Sequence, residues 1–389
     1  MVTRETRSDQ RYGLGRSLAP LVEELRRRGI DVDYLCQADL GQRALLWQIR
    51  IGHFLASLTR NSKTATDFPA LLYGIFERFN MGRLAAKLAV KQDYTHVHCH
   101  DPLIAAGLRF FLRFNFGSHV AWGVTEHGYG CYAQAIHEDG ARLGRYTMRW
   151  MRNWEAKILL SASWVIAPTH SGIAQIARDL GISAVPSNWY QVAHAHPKLN
   201  HYGKEEARNR LGWNSNTIYL LAIGRIAPVK QFPLLIQACA RLKIKKDFQL
   251  VILGEGNHDD LQKLAQQLSF PRKIIFAITE DIGLYLCAAD LYISASASES
   301  FGMANLEALT AGTAAICTAV GGVPEVVGDG AFLAEPDLDS LSEAIQRMLN
   351  DKALCEEIAQ KGQLRAKAWP DIIHVADIYE EIYRKVATS

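Results

Sequence analysis

The chain has 389 residues, of which 49% are apolar and 21% are charged, which excludes a disordered, collagen-like or coiled-coil protein. At about 150 residues per domain, this length predicts two or three domains. The net charge is +3, but residues 1–200 carry 24 Lys and Arg against 16 Asp and Glu, and the remaining residues carry 19 against 24. The basic first half indicates either an anionic partner, such as a phosphorylated acceptor or an acidic membrane, or a solvated surface.

The seven cysteines are scattered and form no CxxC pair, which predicts reduced thiols and a cytoplasmic protein. The first residues lack the apolar core of a secretory signal. The uncharged stretch 308–324 is too short and too rich in glycine to span a membrane.

Short β-rich runs alternate with amphipathic stretches along the whole chain. Apolar residues recur with helical spacing at 17–28, and Asp101 before Pro102 predicts the start of another helix. Strands are predicted at 32–35, 96–100, 120–125, 164–167, 218–223, 249–253, 273–276, 291–294 and 314–318. This alternation predicts an α/β fold with helices on both faces of parallel sheets, and nine strands favour two doubly wound domains.

The β-rich pattern fades between about 186 and 210, so we expect the domain junction there, between domains at 1–195 and 205–369. The last helical stretch, 372–386, could pack on either domain. At the start of the chain, only residues 1–3 are available for a first strand before a polar run begins. Either the first strand is very short or the natural start lies upstream.

The segment from Glu299 to Glu307 carries the sharpest chemical pattern. The two carboxylates flank a glycine-containing turn that follows a predicted strand and opens a helix. The free N–H groups of a helix start attract an anion such as a phosphate, whereas carboxylates suit the hydroxyls of a ribose and a sugar ring. The alternative is that Glu299 caps the helix and Glu307 is solvated.

Further candidates follow other predicted strands. Arg225 and Lys230 suit a diphosphate, because ligands gather at the carboxyl ends of strands in open α/β sheets, although basic loop residues are commonly just solvated. Glycines after strands permit close approach of a ligand or a neighbouring loop. They are Gly224, Gly254, Gly256, Gly321 and Gly322. Gly13 and Gly15 open the first helix, but a GxG alone is too short for a dinucleotide fingerprint.

Several histidines and arginines form local patterns in the first half. His127 follows the predicted strand 120–125 and is the best polar site candidate there. His96, His98 and His100 alternate on a strand, which fits half-buried strand positions better than a zinc site, and His194 and His196 are expected to be structural. Four arginines at helical spacing indicate one basic helix face, which is either solvated or a docking surface for acidic lipids or a phosphorylated acceptor. They are Arg142, Arg145, Arg149 and Arg152.

The order and spacing of these motifs across 218–345 resemble the nucleotide-sugar domain of retaining glycosyltransferases of the GT-B fold, family 4 type. In the first half, the resemblance includes Gly13-Leu-Gly15, Val97-His-Cys-His-Asp101, Glu126-His-Gly128 and Trp154-Glu155. It implies two Rossmann-like domains facing across a cleft, with the helix at 370–389 packed back on the first domain. The sequence departs from the family at Asn188-Trp-Tyr, where Asn-Gly is usual, and at Phe276-Ala277, where Phe-Gly is commoner.

The resemblance also implies roles for individual residues. Arg225 and Lys230 would bind the donor diphosphate, Glu307 the ribose, and Glu299 the transferred sugar. Gly15 would approach the distal phosphate, and His127 would contact the sugar beside its reacting carbon. The remaining donor-binding positions are Gly13, Gly224, Gly254, Gly256, Ala277, Phe301, Gly302, Met303 and Ala304.

We therefore expect retaining transfer of a sugar from a nucleoside-diphosphate sugar to a sugar, polysaccharide or lipid-linked acceptor. The pathway expected is the synthesis of cell-surface polysaccharide, lipopolysaccharide or glycolipid, in the cytoplasm or at the inner face of the membrane. No obligatory metal, no cofactor and no nucleic-acid partner are expected. A nucleotide-sugar epimerase of the same fold and an inactive sugar-nucleotide-binding protein are the alternatives.

Overall fold

The computed structural model describes residues 1–5, 13–59, 68–114, 119–138, 140–243, 246–270 and 273–387. The chain divides into two compact units, Met1–His194 with Pro370–Ser389 and Ala195–Trp369. Each unit is built on one parallel sheet, with four strands in the first and six in the second. The α/β class with two doubly wound units, which the sequence predicts, is therefore confirmed.

The sheet of the first unit has its strands in chain order, and all of its pairs are parallel. Its strands are β1 (His96–Cys99), β2 (Ala121–Thr125), β3 (Trp164–Ala167) and β4 (Trp189–Gln191). Its helices before the second unit are α1 (Gly13–Arg27), α2 (Gln42–Thr59), α3 (Phe68–Lys91), α4 (Pro102–Phe114), α5 (Tyr132–Glu138), α6 (Arg145–Leu159) and α7 (His170–Leu180).

Local sequence explains why these elements form. In α1, the residues at helical spacing (Leu18, Leu21, Val22 and Leu25) are buried, as the pattern predicts. The Asp101 carboxylate accepts the N–H of Leu103 at 2.8 Å and so caps the start of α4. All four residues of β3 are buried, as expected for a strand with helices on both faces of its sheet.

The predicted strand at 32–35 is wrong. Leu35 makes only an isolated parallel bridge with Val2, which also bridges Cys99 of β1. The three residues at the start of the chain thus lie beside β1, and the Val2 side chain is buried. Strand β4 was not predicted, because it is only three residues long and lies in a segment rich in Pro, Asn and His.

The second unit has the strand order β10-β9-β8-β5-β6-β7, again with parallel pairs. Its strands are β5 (Ile218–Ile223), β6 (Phe248–Leu253), β7 (Ile275–Ala277), β8 (Leu291–Ser294), β9 (Ala315–Thr318) and β10 (Phe332–Ala334). Its helices are α8 (Lys204–Leu211), α9 (Phe232–Ala240), α10 (Asp259–Gln267), α11 (Ile282–Ala288), α12 (Met303–Ala311), α13 (Val323–Val327), α14 (Leu338–Asn350) and α15 (Lys352–Lys367). The chain proceeds outward from β5 through β6 to β7 and then starts again at β8 on the other side, so the order reverses between β5 and β8.

The last helix, α16 (Ile372–Ala387), packs within the first unit. Arg28, just after α1, donates hydrogen bonds to Asp377 at 2.6 Å, to Glu380 at 3.0 Å and to the carbonyl of Ile373 at 2.8 Å. Within the part of the chain that the structure describes, no helix is both long and apolar enough to cross a membrane.

Candidate functional site

The candidate site of the second unit lies where its strand order reverses. Lys230 follows β5 in a short 3-10 turn, Pro228–Lys230, and Glu299 follows β8. These two strands are neighbours in the sheet although their loops are far apart in sequence. In open α/β sheets, ligands bind in the crevice at such a switch point, outside the carboxyl ends of the strands.

Lys230 and Glu299 form a direct ion pair, with 2.5 Å between Nζ and Oε2. Their side chains are 25% and 20% exposed, so the pair is accessible rather than sealed in the core. The two loops are also joined through the backbone, because the N–H of Ala297 donates to the carbonyl of Val229 at 2.8 Å. The fold therefore presents one cation and one carboxylate side by side at the edge of the sheet.

The glycines of this edge allow its loops to approach one another. A Cβ on Gly254 would lie 1.9 Å from the carbonyl oxygen of Gly224, and one on Gly256 would lie 2.7 Å from the Cβ of Ile226. The methylene groups of Lys230 lie against Gly224, since a Cβ there would be 3.2 Å from its Cδ. The sequence leaves open whether these glycines allow a ligand or a neighbouring loop to come close. In the structure, they allow the neighbouring loops to approach one another.

Helix α12 begins beside the ion pair. Gly302 precedes it in a left-handed conformation, with φ at +82°, and a Cβ there would lie 2.5 Å from the amide nitrogen of Asn305. The carbonyl of Glu299 accepts the N–H of Gly322 at 2.8 Å, which brings the Gly321-Gly322 loop to the same place. The first N–H groups of a helix have no partner within it, so the start of α12 adds hydrogen-bond donors and positive potential here.

The other predicted residues of this unit occupy the same strand ends and the first turns of α12. Glu307 is only 2% exposed, so the alternative of a solvated Glu307 is wrong. Phe301 is buried with its ring edge-to-face against Trp369, 5.6 Å between centroids. Arg225 lies exposed after β5, and Ala277 ends β7 with its carbonyl accepting the N–H of Gly254 at 3.0 Å. Met303 and Ala304, the first residues of α12, are partly exposed.

In the first unit, His127 belongs to a cluster of imidazoles at the carboxyl ends of β1 and β2. Its Nε2 lies 3.0 Å from Nδ1 of His100, and its ring stacks on that of His194 at 5.8 Å between centroids. His98 stacks on His100 at 4.6 Å. His98 is itself held by the hydroxyls of Thr125 and Tyr383, each 2.7 Å from one ring nitrogen.

Burial keeps this cluster neutral. It lowers the pKa values of His98, His100 and His127 well below 6.5, and that of His194 to about 4. Nearby, burial raises the pKa of the Glu155 carboxyl to about 8, and the Glu155 carboxylate accepts the N–H of Tyr132 at 2.7 Å. Neutral imidazoles suit hydrogen bonds with hydroxyl groups better than the binding of a phosphate.

Sequence reasoning selected His127 but missed its partners. The alternation of His98 and His100 indicated a shared face of one strand, and this was the available signal. No pattern in the sequence pointed to His194, because only the path of the chain after β4 brings it to His127. Among the described residues, no group of three or more potential ligands is arranged to hold a metal ion.

The glycine pair near the start of the chain lies in the first turn of α1. Gly13 begins the helix, and the N–H of Gly15 donates to the Glu5 carboxylate at 2.8 Å. A phosphate bound at this amide would have to replace that carboxylate. Tyr12, the residue before this glycine pair, lies outside the described residues.

The prediction of one helix face with four arginines needs a correction. Arg142 precedes α6, which begins at Arg145 after Gly144, because the backbone of Gly144 is extended rather than helical. Arg145 and Arg149 are exposed on the helix. Arg152 is partly buried and donates to the side-chain oxygen of Gln134 at 3.2 Å, so it turns toward α5 rather than toward solvent.

Comparison with known families agrees with both units. Residues 12–188 match the family described as Glycosyltransferase Family 4, and residues 203–365 match Glycosyl transferases group 1. The chain belongs to the family 4, group 1 glycosyltransferases. The resemblance seen in the sequence motifs is thereby confirmed for both halves of this glycosyltransferase.

Individual relatives of the glycosyltransferase are distant. One relative from Campylobacter jejuni is named N-acetylgalactosamine-N,N'-diacetylbacillosaminyl-diphospho-undecaprenol 4-alpha-N-acetylgalactosaminyltransferase. It is 33% identical over 160 residues, which make up 40% of this chain and less than half, 43%, of that protein. An uncharacterized glycosyltransferase of Methanocaldococcus jannaschii is 24% identical over 78% of each chain. The sucrose-phosphate synthase structure from Thermosynechococcus elongatus matches 97% of this chain and 94% of its own, with a TM-score of 0.73 and 22% identity. This structural likeness confirms the predicted GT-B fold.

Proposed function

We propose that this glycosyltransferase moves a sugar from a nucleoside-diphosphate sugar to an acceptor hydroxyl with retention at the anomeric carbon. The observation that carries the proposal is the Lys230–Glu299 pair beside the start of α12, at the switch point of the second sheet. A cation, unpaired helix amides and a carboxylate are the groups that a sugar joined to a diphosphate needs in one place.

The barrier to transfer comes from negative charge growing on the departing diphosphate. Lys230, Arg225 and the first N–H groups of α12 stabilise that charge, and fixed donors of this kind cost no reorganisation during the reaction. When the donor binds, the ammonium of Lys230 turns from Glu299 to the phosphate oxygens. Glu299 then accepts hydrogen bonds from the hydroxyls of the transferred sugar, and the buried Glu307 accepts those of the ribose.

Retention follows from attack on the face that the diphosphate leaves. The bond between the anomeric carbon and the diphosphate oxygen breaks, the acceptor oxygen bonds to the same carbon, and the acceptor proton passes to the leaving phosphate. A covalent route needs a carboxylate at the opposite face of the sugar. Glu299 is the candidate for that role, but the hydrogen bonds that we propose between it and the hydroxyls of the transferred sugar argue against it.

For the first unit, we assign His127 to the transferred sugar and Gly15 to the distal phosphate of the donor. The neutral state of His127 supports a hydroxyl contact. The acceptor that we propose is a sugar, a polysaccharide or a lipid-linked glycan in the synthesis of a cell-surface polymer or glycolipid. The relative from Campylobacter, whose name describes a diphospho-undecaprenol acceptor, supports a lipid-linked one.

Two measurements test the proposal. Thermal unfolding with UDP, GDP or ADP should show a higher midpoint temperature for the nucleotide with the correct base. At a concentration one hundred times its Kd, that nucleotide stabilises the folded protein by about 2.7 kcal/mol. The matching nucleotide sugar is then incubated with and without a panel of glycan acceptors and followed by proton NMR. Acceptor-dependent release of the nucleotide with an unchanged anomeric configuration is expected.

Other outcomes contradict the proposal in distinct ways. A product with inverted configuration would refute retention. Conversion of the donor to its epimer without any acceptor would identify an epimerase, and binding without turnover across the panel would identify a sugar-nucleotide-binding protein.

A further inference from the structure

The hydrogen bond between His100 and His127 contains a single proton. The Nδ1 of His100 and the Nε2 of His127 are 3.0 Å apart, so one of them donates and the other accepts. Each ring is neutral, because burial disfavours the imidazolium form. A neutral imidazole has one N–H, and the choice of donor therefore fixes the protonated nitrogen on both rings.

The other nitrogen of His100 decides between the two arrangements. Its Nε2 is buried and has no hydrogen-bond partner among the described residues. If His127 donated, His100 would carry its proton on this Nε2, and a buried N–H without an acceptor loses its hydrogen bonds to water without replacement. If His100 donates from Nδ1, its Nε2 carries only a lone pair, and buried acceptors without partners are tolerated more often than buried donors.

The surrounding residues hold the ring of His100 in this position. His98 stacks on it with only 10° between the ring planes. Both nitrogens of His98 are engaged, one with Thr125 of β2 and the other with Tyr383 of α16. The orientation of His100 is therefore fixed by β1, β2 and the last helix of the chain together.

We propose that His100 is a positioning residue that donates from Nδ1 to Nε2 of His127 and so holds His127 as the tautomer with its proton on Nδ1. His127 then presents an N–H donor, and its basic nitrogen is blocked by His100. It can donate to a sugar oxygen but cannot take a proton from an acceptor hydroxyl. This last consequence rests on the proposed function, whereas the tautomer itself does not.

The experiment measures the tautomer in the ligand-free protein. The full chain is labelled with ¹⁵N at histidine, and the couplings of ring protons to the two ring nitrogens are recorded by NMR at neutral pH. The signals of His127 are assigned with a His127→Gln variant. We expect the proton of His127 on Nδ1, and a proton on Nε2 overturns the proposal whether or not the chain transfers sugars.

Two substitutions separate positioning from packing. His100→Phe keeps the ring but removes the N–H donor, so His127 should lose the single tautomer. His100→Asn places an amide N–H near the position of Nδ1 and should restore it. If the tautomer of His127 is the same in the folded His100→Phe variant as in the wild type, His100 does not set it. If either variant fails to fold, the measurement on the wild type still decides.

Discussion

The two units place polar groups at the same position of a parallel sheet but in opposite electrical states. In the second unit, Lys230 and Glu299 are partly exposed and form an ion pair. In the first unit, His98, His100 and His127 are held neutral by burial. Solvent access makes this difference, because charge is retained only where water or a close partner supports it. Strand ends alone therefore do not determine whether a site suits an anion or a hydroxyl.

The largest expected effect tests the charged side of this comparison. In Lys230→Ala, the diphosphate loses a fixed cation, and kcat should fall by about 10²–10³. Lys263→Ala is the matched control, since Lys263 is 69% exposed on α10 and pairs with Asp260 one turn away. Steady-state kinetics with the identified donor measure both variants. Wild-type turnover in a folded Lys230→Ala protein would refute the role of this cation.

The neutral titratable groups of the first unit predict that the stability of the protein depends on pH. The pKa of Glu155 is raised by burial to about 8, above its unfolded value of 4.5, so the native state holds a proton that the unfolded chain releases. The contribution of Glu155 to the free energy of unfolding should therefore fall as pH rises between 4.5 and 8, by at most about 1.4 kcal/mol per pH unit in the middle of this window.

Glu155→Gln cannot ionise and should flatten this slope. Urea unfolding at several pH values across this window measures it, and Glu23→Gln, at an exposed position of α1, is the control. A slope in Glu155→Gln equal to that of the wild type would show that Glu155 is charged in the folded protein.

The third test separates charge from hydrogen-bond acceptance in the second unit. Glu307→Gln keeps an acceptor oxygen at a position that is 2% exposed but removes the charge. Because hydrogen bonds to charged groups are stronger, the Kd of the nucleotide should rise roughly tenfold, about 1.4 kcal/mol. Calorimetric titration measures it beside Glu343→Gln, at an exposed position of α14. An unchanged Kd would mean that Glu307 does not hold the ribose.

The smallest expected effect concerns charge on the surface of the first unit. Arg149 is exposed on α6 beside the exposed Arg145, and we propose that the helix face formed by these two arginines contacts acidic lipid. Arg149→Ala should weaken partition onto vesicles that contain anionic lipid by about 1 kcal/mol, or roughly fivefold. Arg210→Ala, an exposed arginine of α8 paired with Glu206, should bind as the wild type does. Equal partition of both variants would argue for a merely solvated face.

Most of the sheet strands could be predicted from local sequence. The strands Trp164–Ala167, Ile218–Ile223 and Leu291–Ser294 have the predicted bounds, because each is a short apolar run in an alternating pattern. The predictions of strands failed where pairing with a neighbouring strand, rather than the local composition of the sequence, decides whether a strand forms. Residues 32–35 look like a strand but contribute only the Leu35 bridge, whereas β4 and β10 are strands of only three residues.

The sequence alone determined the α/β class, the two sheets and the loops that carry Lys230, Glu299 and His127, since these depend on patterns within a few residues. Only the tertiary structure decided that β5 lies beside β8, which turns two charges 69 positions apart into an ion pair. It also decided that His100 and His194 surround His127 and that burial keeps these rings neutral. Strand order and solvent exclusion depend on residues distant in the chain, and local patterns do not contain that information.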